Sequence, residues 1–321
     1  MPLPFGEETE LLSIARYGGR LVYESEFKDT NLWRAPGPNA VNSSGPESLL
    51  ASTADELFPA YSPDGSKIAF ISGRSGGWEV WVADVDGSNI RQLTNWGFAA
   101  HPRWSPDGQQ ISFSSGRYAI GSGNQEYATV GYNADEAFVV DASGGFPQMI
   151  SEGGRGAKAP SWSADGRSIY FESGFDECGG AQIWKRNIDT GEEMLLARCG
   201  FRPLEGVDGR VYFFDVEGQG ISSVPVEGGE IRLELSHGGE CRRFFNAWTL
   251  WERNLVYLDC QDLAIKMLDL GTRETRVLAD VYTDKQISEY LSLDVSPDGQ
   301  WLIYSRFDGG GSDLMLVDPF E

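Results

Sequence analysis

Apolar residues in this chain come in short runs, alternating with polar ones or clustered, as in Ser66-Lys67-Ile68-Ala69-Phe70, Gln109-Gln110-Ile111-Ser112-Phe113, Arg167-Ser168-Ile169-Tyr170-Phe171 and Gln300-Trp301-Leu302-Ile303-Tyr304. Runs of this length, bounded by glycine, proline, aspartate and asparagine, predict β-strands joined by tight turns. No longer window keeps a helical period. The nearest approach, Glu192 to Arg198, fits a strand equally well. The pattern therefore predicts an all-β chain.

The turns themselves repeat. Ser62-Pro63-Asp64-Gly65 returns at Ser105-Pro106-Asp107-Gly108 and at Ser296-Pro297-Asp298-Gly299. Proline presets φ at the first turn position, aspartate bonds locally to the backbone, and glycine accepts the positive φ that closes the hairpin. Aligning the residue before each following strand gives Gly18, Gly65, Gly108, Gly166, Gly209, Asn254 and Gly299, spaced by 47, 43, 58, 43, 45 and 45 residues. Such a period, with four strands per unit, predicts a β-propeller of four-stranded antiparallel blades filling residues 1–321 as one domain. Seven units predict seven blades. Six is the alternative, because the fifth and sixth units carry Val207-Asp208-Gly209 and Glu252-Arg253-Asn254 in place of the full turn. The last unit ends at its third strand, Asp313 to Val317, so Leu3-Pro4-Phe5 is expected to join the last blade and seal the ring. Trp33, Trp81 and Trp184 fall at equivalent third-strand positions and are expected to fill the space between blades.

These motifs resemble a known family. Residues 58–94 and 101–113, Pro160 to Phe171 and Leu293 to Val317 follow the pattern of TolB-like propeller repeats, also called PD40 or WD40-like repeats. The C-terminal stretch is similar to the propellers that end bacterial winged-helix regulators and other membrane-linked sensors. The resemblance implies fold more than function, since propellers of this kind dock proteins, gate peptidases or act as lyases. It transfers no catalytic residue to this chain.

Function is expected on the face that carries the varied strand 2–3 loops and the blade-to-blade connections, at the mouth of the central channel. The third unit has a far longer loop, Gly116 to Glu136, whose Tyr118, Tyr127 and Tyr132 suit an aromatic flap. With Arg74, Arg117, Asp176, Asp215, Asp259 and Asp308 these make up the expected ligand-binding set. Glu26, Asp29, Glu177, Glu217, Asp262 and Asp313 add carboxylates that suit a cationic peptide or, weakly, Ca²⁺. Arg74, Arg117, Arg202, Arg242 and Arg243 suit a carboxylate ligand instead. His101 and His237, assigned to blade connections, are the only histidines and make a poor metal set.

Cys178 and Cys199 flank one unit's loops and Cys241 and Cys260 another's, so disulfides Cys178–Cys199 and Cys241–Cys260 are expected, although four cysteines allow three connectivities. Their formation implies the periplasm or cell exterior, with a cytoplasmic chain of free thiols as the alternative. The start, Met1 to Glu8, does not read as a signal peptide, so an extracytoplasmic location implies a leader or neighbouring domain outside this sequence. A net charge of −22 repels phosphate backbones and anionic membranes, which argues against nucleic-acid contact. No apolar run is long enough to insert in a membrane. No catalytic motif stands out. The expected function is a non-enzymatic binding or sensing propeller, monomeric and attached to a signalling or membrane module, that docks a peptide, protein or small ligand. A metal-assisted lyase or hydrolase and a structural spacer are the alternatives.

Overall fold

A computed structural model describes residues 9–14, 21–41, 45–116, 136–151, 156–174, 176–236, 246–281 and 291–317, with backbone only for 9–14, 21–28 and 310–317. Every regular element among the described residues is a β-strand. β1 (Thr9–Ile14), β2 (Leu21–Pro36) and β3 (Glu47–Leu50) precede three antiparallel groups. These are β4 (Glu56–Tyr61) to β7 (Arg91–Gln92), β8 (Ala99–Trp104) to β11 (Gln148–Met149), and β12 (Lys158–Trp162) to β18 (Arg232–Ser236). The group β19 (Trp248–Trp251) to β22 (Thr275–Asp280) follows, and β23 (Leu293–Val295) and β24 (Trp301–Val317) end the chain. Within each group, consecutive strands pair in chain order.

Two strands are longer than the turn pattern predicts. β15 (Glu193–Glu205) pairs with β14 (Ala181–Asn187) along its first half and with β16 (Arg210–Asp215) along its second, so one continuous strand belongs to two successive four-stranded groups. Gly200 sits where it passes between them. A Cβ there would lie 2.7 Å from the Phe213 ring and 2.9 Å from Ile183, so no larger residue fits.

The second case joins the chain ends. β2 pairs with β24 from Leu21↔Val317 to Pro36↔Trp301, while β23 adds to β24 and β3 to β2. The first and last sequence units thus share one sheet. The segments Ser25 to Asn31 and Phe307 to Asp313, expected as loops, continue as strand because each supplies the other's hydrogen-bond partner. The outer position beside β2 is held by β3. Asp313 to Val317, expected as a separate third strand, continues β24 beside Leu21 to Ser25, and Leu3-Pro4-Phe5, expected to add the fourth strand of the last blade, lies outside the described residues.

The repeated turn is a closed hydrogen-bond unit. The Ser62 hydroxyl donates to Asp64 Oδ1 at 2.6 Å and accepts the Lys67 N–H at 2.9 Å, while the Gly65 N–H donates to the Ser62 carbonyl at 2.8 Å. Ser105–Asp107, Ser163–Asp165 and Ser296–Asp298 repeat the 2.6 Å contact. Asp64, Asp107, Asp165 and Asp298 are all held below the ordinary carboxylate range, first by that serine hydroxyl and then by a backbone N–H two residues on.

Each turn also meets the next group. A Cβ on Gly65 would contact Pro297, one on Gly108 would contact Pro63, and one on Gly166 would contact Pro106, at 3.4 to 3.8 Å. Where Ala164 replaces the proline, the next turn glycine, Gly209, has nothing within 4 Å. The indole N–H of Trp104 donates to the Ala60 carbonyl and that of Trp162 to the Arg103 carbonyl, binding the first strands of successive groups together.

The apolar core lies between groups rather than within them. Tyr61, Ile68 and Phe70 pack with Leu32, Leu50 and Ile303, and Leu57, Ile71 and Val80 pack with Ile111, Phe113 and Phe138. Further along, Val139 meets Trp162 and Phe171, and Tyr170 and Ile183 meet Val211 and Phe213. Finally Tyr212 and Phe214 meet Trp248 and Leu255, while Val256 and Ile265 meet Leu293, Leu302 and Tyr304. Trp33, Trp81 and Trp184 pack half-buried at the edges of three of these clusters, as expected.

The turn contacts rank the glycines. All three of Gly209, Gly65 and Gly299 have φ of 70° to 75°, so alanine at each costs about 1–2 kcal/mol of backbone strain. Gly299 carries a further clash, since its Cβ would lie 2.5 Å from the Trp251 ring, which adds about 1–3 kcal/mol of overpacking. In urea unfolding, Gly299→Ala is expected to be the least stable variant, with Gly65→Ala and Gly209→Ala close to one another. Equal losses at all three would mean that inter-turn packing contributes nothing.

Candidate functional site

The first strands of four groups share an irregularity. Phe58-Pro59, His101-Pro102, Ala159-Pro160 and Arg202-Pro203 each place a non-glycine residue at positive φ, between 44° and 57°, directly before a proline. The strand register shifts at each one. A bulge re-aims the side chains beside it, and strained residues of this kind persist only where the surroundings hold them. Here all four line one small cavity of about 10 Å³, together with Arg103, Ser161 and Leu204. That is room for about one water molecule.

Cationic groups gather around this cavity. Arg202 is only 4% exposed, and its Nη1 has no hydrogen-bond partner among the described residues. Its backbone N–H donates to Glu172 Oε1 at 3.1 Å, and Glu172 stands opposite Lys158 across the β12–β13 pair, where β13 is Ser168–Ser173. Arg103 Nη1 approaches Asp294 Oδ2 no closer than 3.8 Å. Asp294 is occupied elsewhere, accepting the Tyr61 N–H at 2.9 Å and the Thr249 hydroxyl at 3.1 Å. The His101 ring lies 4.3 Å from that of Phe58, with Nδ1 buried and unpartnered. Burial, then the nearby charges of Arg202, Arg103 and Lys158, push its pKa down to about 3.

A wider opening of about 240 Å³ adjoins the cavity and shares Arg103, Ser161 and Leu204 with it. Its walls come from β8, β12, β15, β19 and β23 and from the turn residues Pro106, Ser163 and Ala164, with Arg103, Glu205 and Asp294 as its charged groups. The described opening is therefore at the tight-turn end of these strands, opposite the loops where the sequence suggests function. His101 and Arg202, assigned by sequence to connections, lie within strands β8 and β15. Arg103 and Asp294 were missed altogether. Their signal was position: Ala60, Arg103, Ser161, Leu204, Thr249 and Asp294 all stand five places before the aligned turn residue, and two of the six are charged.

The residues expected to bind ligand are distributed differently. Arg74 pairs with buried Glu56 at 2.9 Å and stands over the Trp81 ring. Asp176 accepts from Gln182 and Arg198, Asp215 from Ser222 and the Gly218 N–H, and Asp259 from Lys266 and the Gln261 N–H. Asp308 accepts from Asn31, the Trp33 indole and Arg306. Each carboxylate is thus engaged by donors in its own sheet, and no three metal-ligating side chains cluster among the described residues. Arg117, Tyr118, Tyr127, Tyr132, Arg242, Arg243 and His237 lie outside the described residues. Cys178 and Cys199 form a disulfide with Cα atoms 5.9 Å apart. Cys260 is also disulfide-bonded, and Cys241, its expected partner, lies outside the described residues.

No family model and no curated protein matches the chain by sequence. Solved structures do match its fold. A putative TolB from Agrobacterium tumefaciens aligns with a TM-score of 0.64 at 17% identity, over 88% of this chain and 99% of that one. TolB from Acinetobacter baumannii gives 0.56 at 14%, over 89% of this chain and 65% of that one. A chain of a nidogen/laminin complex gives 0.55 at 12%, over 78% and 93%. A puromycin-hydrolysing peptidase of Mycobacterium tuberculosis gives 0.52 at 16%, over 90% of this chain but 47% of that one. The fold is that of the TolB-like β-propellers, shared by binding proteins and by parts of enzymes.

The histidine yields a pH prediction. Above about 6.5, the ordinary histidine value, folded and unfolded chains both carry neutral His101. Between there and about 3, the unfolded chain takes up a proton that the folded one does not, so stability falls as acid is added. His101→Gln is expected to flatten that slope in denaturant titrations between pH 6.5 and 4. Equal slopes would show that the imidazole is solvated and titrates normally.

Proposed function

We propose that this chain is a non-catalytic binding or sensing propeller that docks a peptide, protein or small ligand at the axial opening beside Arg103 and Asp294. The observation that carries the reading is the opening itself, a concave, polar-rimmed recess whose walls come from five inner strands, with side-chain hydrogen bonds tying β8 to β12, β12 to β15 and β19 to β23. Residues on such strands are held more firmly than residues on loops, which is what selective binding requires. The putative TolB and the nidogen in complex with laminin support the class of function by fold.

We read the architecture as six blades. Support comes from the six inter-group apolar clusters, each joining one four-stranded group to the next, the last joining β20 (Asn254–Leu258) and β21 (Ala264–Asp269) back to the sheet of β23, β24, β2 and β3. On this reading β23 and β24 supply the inner half of the closing blade and β2 and β3 its outer half. The strand 2–3 loops with Arg74, Asp176, Asp215, Asp259 and Asp308 then form the opposite face. The disulfide Cys178–Cys199 supports an extracytoplasmic location.

Selecting peptides against the intact protein and mapping the best binder by hydrogen–deuterium exchange tests this reading. Protection is expected in residues 103–106, 161–164, 204–205, 249–250 and 293–295. Protection confined to segments around Arg74, Asp215, Asp259 and Asp308 would move the site to the other face. Failure to select any binder, with no thermal shift from small ligands, would overturn the binding reading.

A further inference from the structure

Building on the reading of the axial opening as a binding site, we propose that Arg103 and Arg202 form an anion pocket at its floor that takes a single carboxylate group of the ligand. Three observations converge on it. Arg202 is almost wholly enclosed, yet its Nη1 meets no acceptor among the described residues. A buried guanidinium N–H left without an acceptor is costly, and native proteins satisfy such donors or keep them for a ligand. The nearby carboxylates do not fill the need. Glu172 takes the backbone N–H of Arg202 and faces Lys158, and Asp294 takes the Tyr61 N–H and the Thr249 hydroxyl while standing 3.8 Å from Arg103. At that distance the Arg103 guanidinium makes no hydrogen bond to Asp294, so it retains donors for a second acceptor.

The shape of the site narrows the anion. The cavity between the two arginines has about 10 Å³ of free space, enough for one oxygen-sized atom and too little for a tetrahedral oxyanion. A carboxylate enters tip first, one oxygen in the cavity and the rest of its carrier in the 240 Å³ opening that shares Arg103. Phe58, Pro102, Pro160 and Pro203 wall the cavity with apolar surface, which strengthens a charge-assisted hydrogen bond made there. The rim selects in the other direction. Glu205 and Asp294 face the opening, and the whole chain carries −22, so a polyanion is repelled on approach. The ligand is thus a monocarboxylate whose neighbouring groups are neutral or cationic. Two sources meet that description, a small organic acid and the carboxyl terminus of a peptide.

The test uses the intact chain. Acetate and sulfate are titrated at constant ionic strength, with thermal unfolding and backbone NMR shifts as readouts. Binders selected as above are compared as free acids and as C-terminal amides. Acetate is expected to stabilise the protein and to shift the amides of residues 101–104 and 201–204, with sulfate leaving both unchanged. Arg202→Gln is expected to weaken the acetate response by roughly tenfold or more, the size of one charge-assisted hydrogen bond. Should that variant fail to fold, Arg103→Gln, at a partly exposed position, gives the same reading. Loss of a peptide's affinity on amidation assigns the pocket to a carboxyl terminus, and acetate binding with amidation silent assigns it to a small acid. Acetate without effect, together with equal binding of acid and amide peptides, overturns the pocket while leaving the axial opening as a binding site. An acetate response identical in wild type and both variants also overturns it.

Discussion

The structure depends on contact between successive sheets. A four-stranded sheet of this size has two apolar faces and cannot cover either one by itself. Each group here buries its faces against its two neighbours, and the buried aromatic residues, Phe70, Phe113, Tyr170, Tyr212, Phe213 and Tyr304 among them, belong to those shared layers. The spacing between sheets must then be the same at the rim as at the centre. The proline of one turn set against the glycine of the next, with the indoles of Trp104 and Trp162 reaching the preceding strand, holds that spacing. The turn is conserved between units because it has two jobs. Serine and aspartate close it internally, while proline and glycine fit it to its neighbours.

This explains which parts of the molecule were legible in the sequence. Strands, turns and the all-β class follow from local rules, and Ser62-Pro63-Asp64-Gly65 announces them plainly. The fate of the two chain ends does not follow from local rules. The segments Ser25 to Asn31 and Phe307 to Asp313 are rich in the polar residues and glycines of loops, and they extend as strands because they face each other. The candidate site was hidden for a related reason. Arg103 and Asp294 sit in ordinary-looking strands two units and more apart, and only the stacking of inner strands brings their charges within 4 Å. Variable loops are the usual signal of recognition, whereas Arg202 is marked only by standing where Phe58, His101 and Ala159 stand in other units.

Charge works at two ranges here. At long range the molecule is an anion, which keeps it dispersed and discourages contact with nucleic acid or acidic membranes. Around the small cavity positive groups gather instead: two guanidinium groups stand in surroundings of proline, phenylalanine and leucine where each charge is felt strongly. The same surroundings keep His101 neutral, so this local positive character comes from arginine and is insensitive to pH across the physiological range.

The pairing of β2 with β24 sets the order in which the chain acquires its shape during synthesis. Leu21 and Val317 are register partners, so β2 leaves the ribosome long before its partner exists. At the usual pace of translation the interval is on the order of tens of seconds. The intervening groups, built from neighbouring hairpins, can form while it waits. The nascent chain therefore spends that interval with an unpaired strand edge at its N-terminal end, the kind of surface that recruits chaperones or other strands. Completion of the fold waits for β24, and a product truncated before it is left with the sheet of β2 unmade.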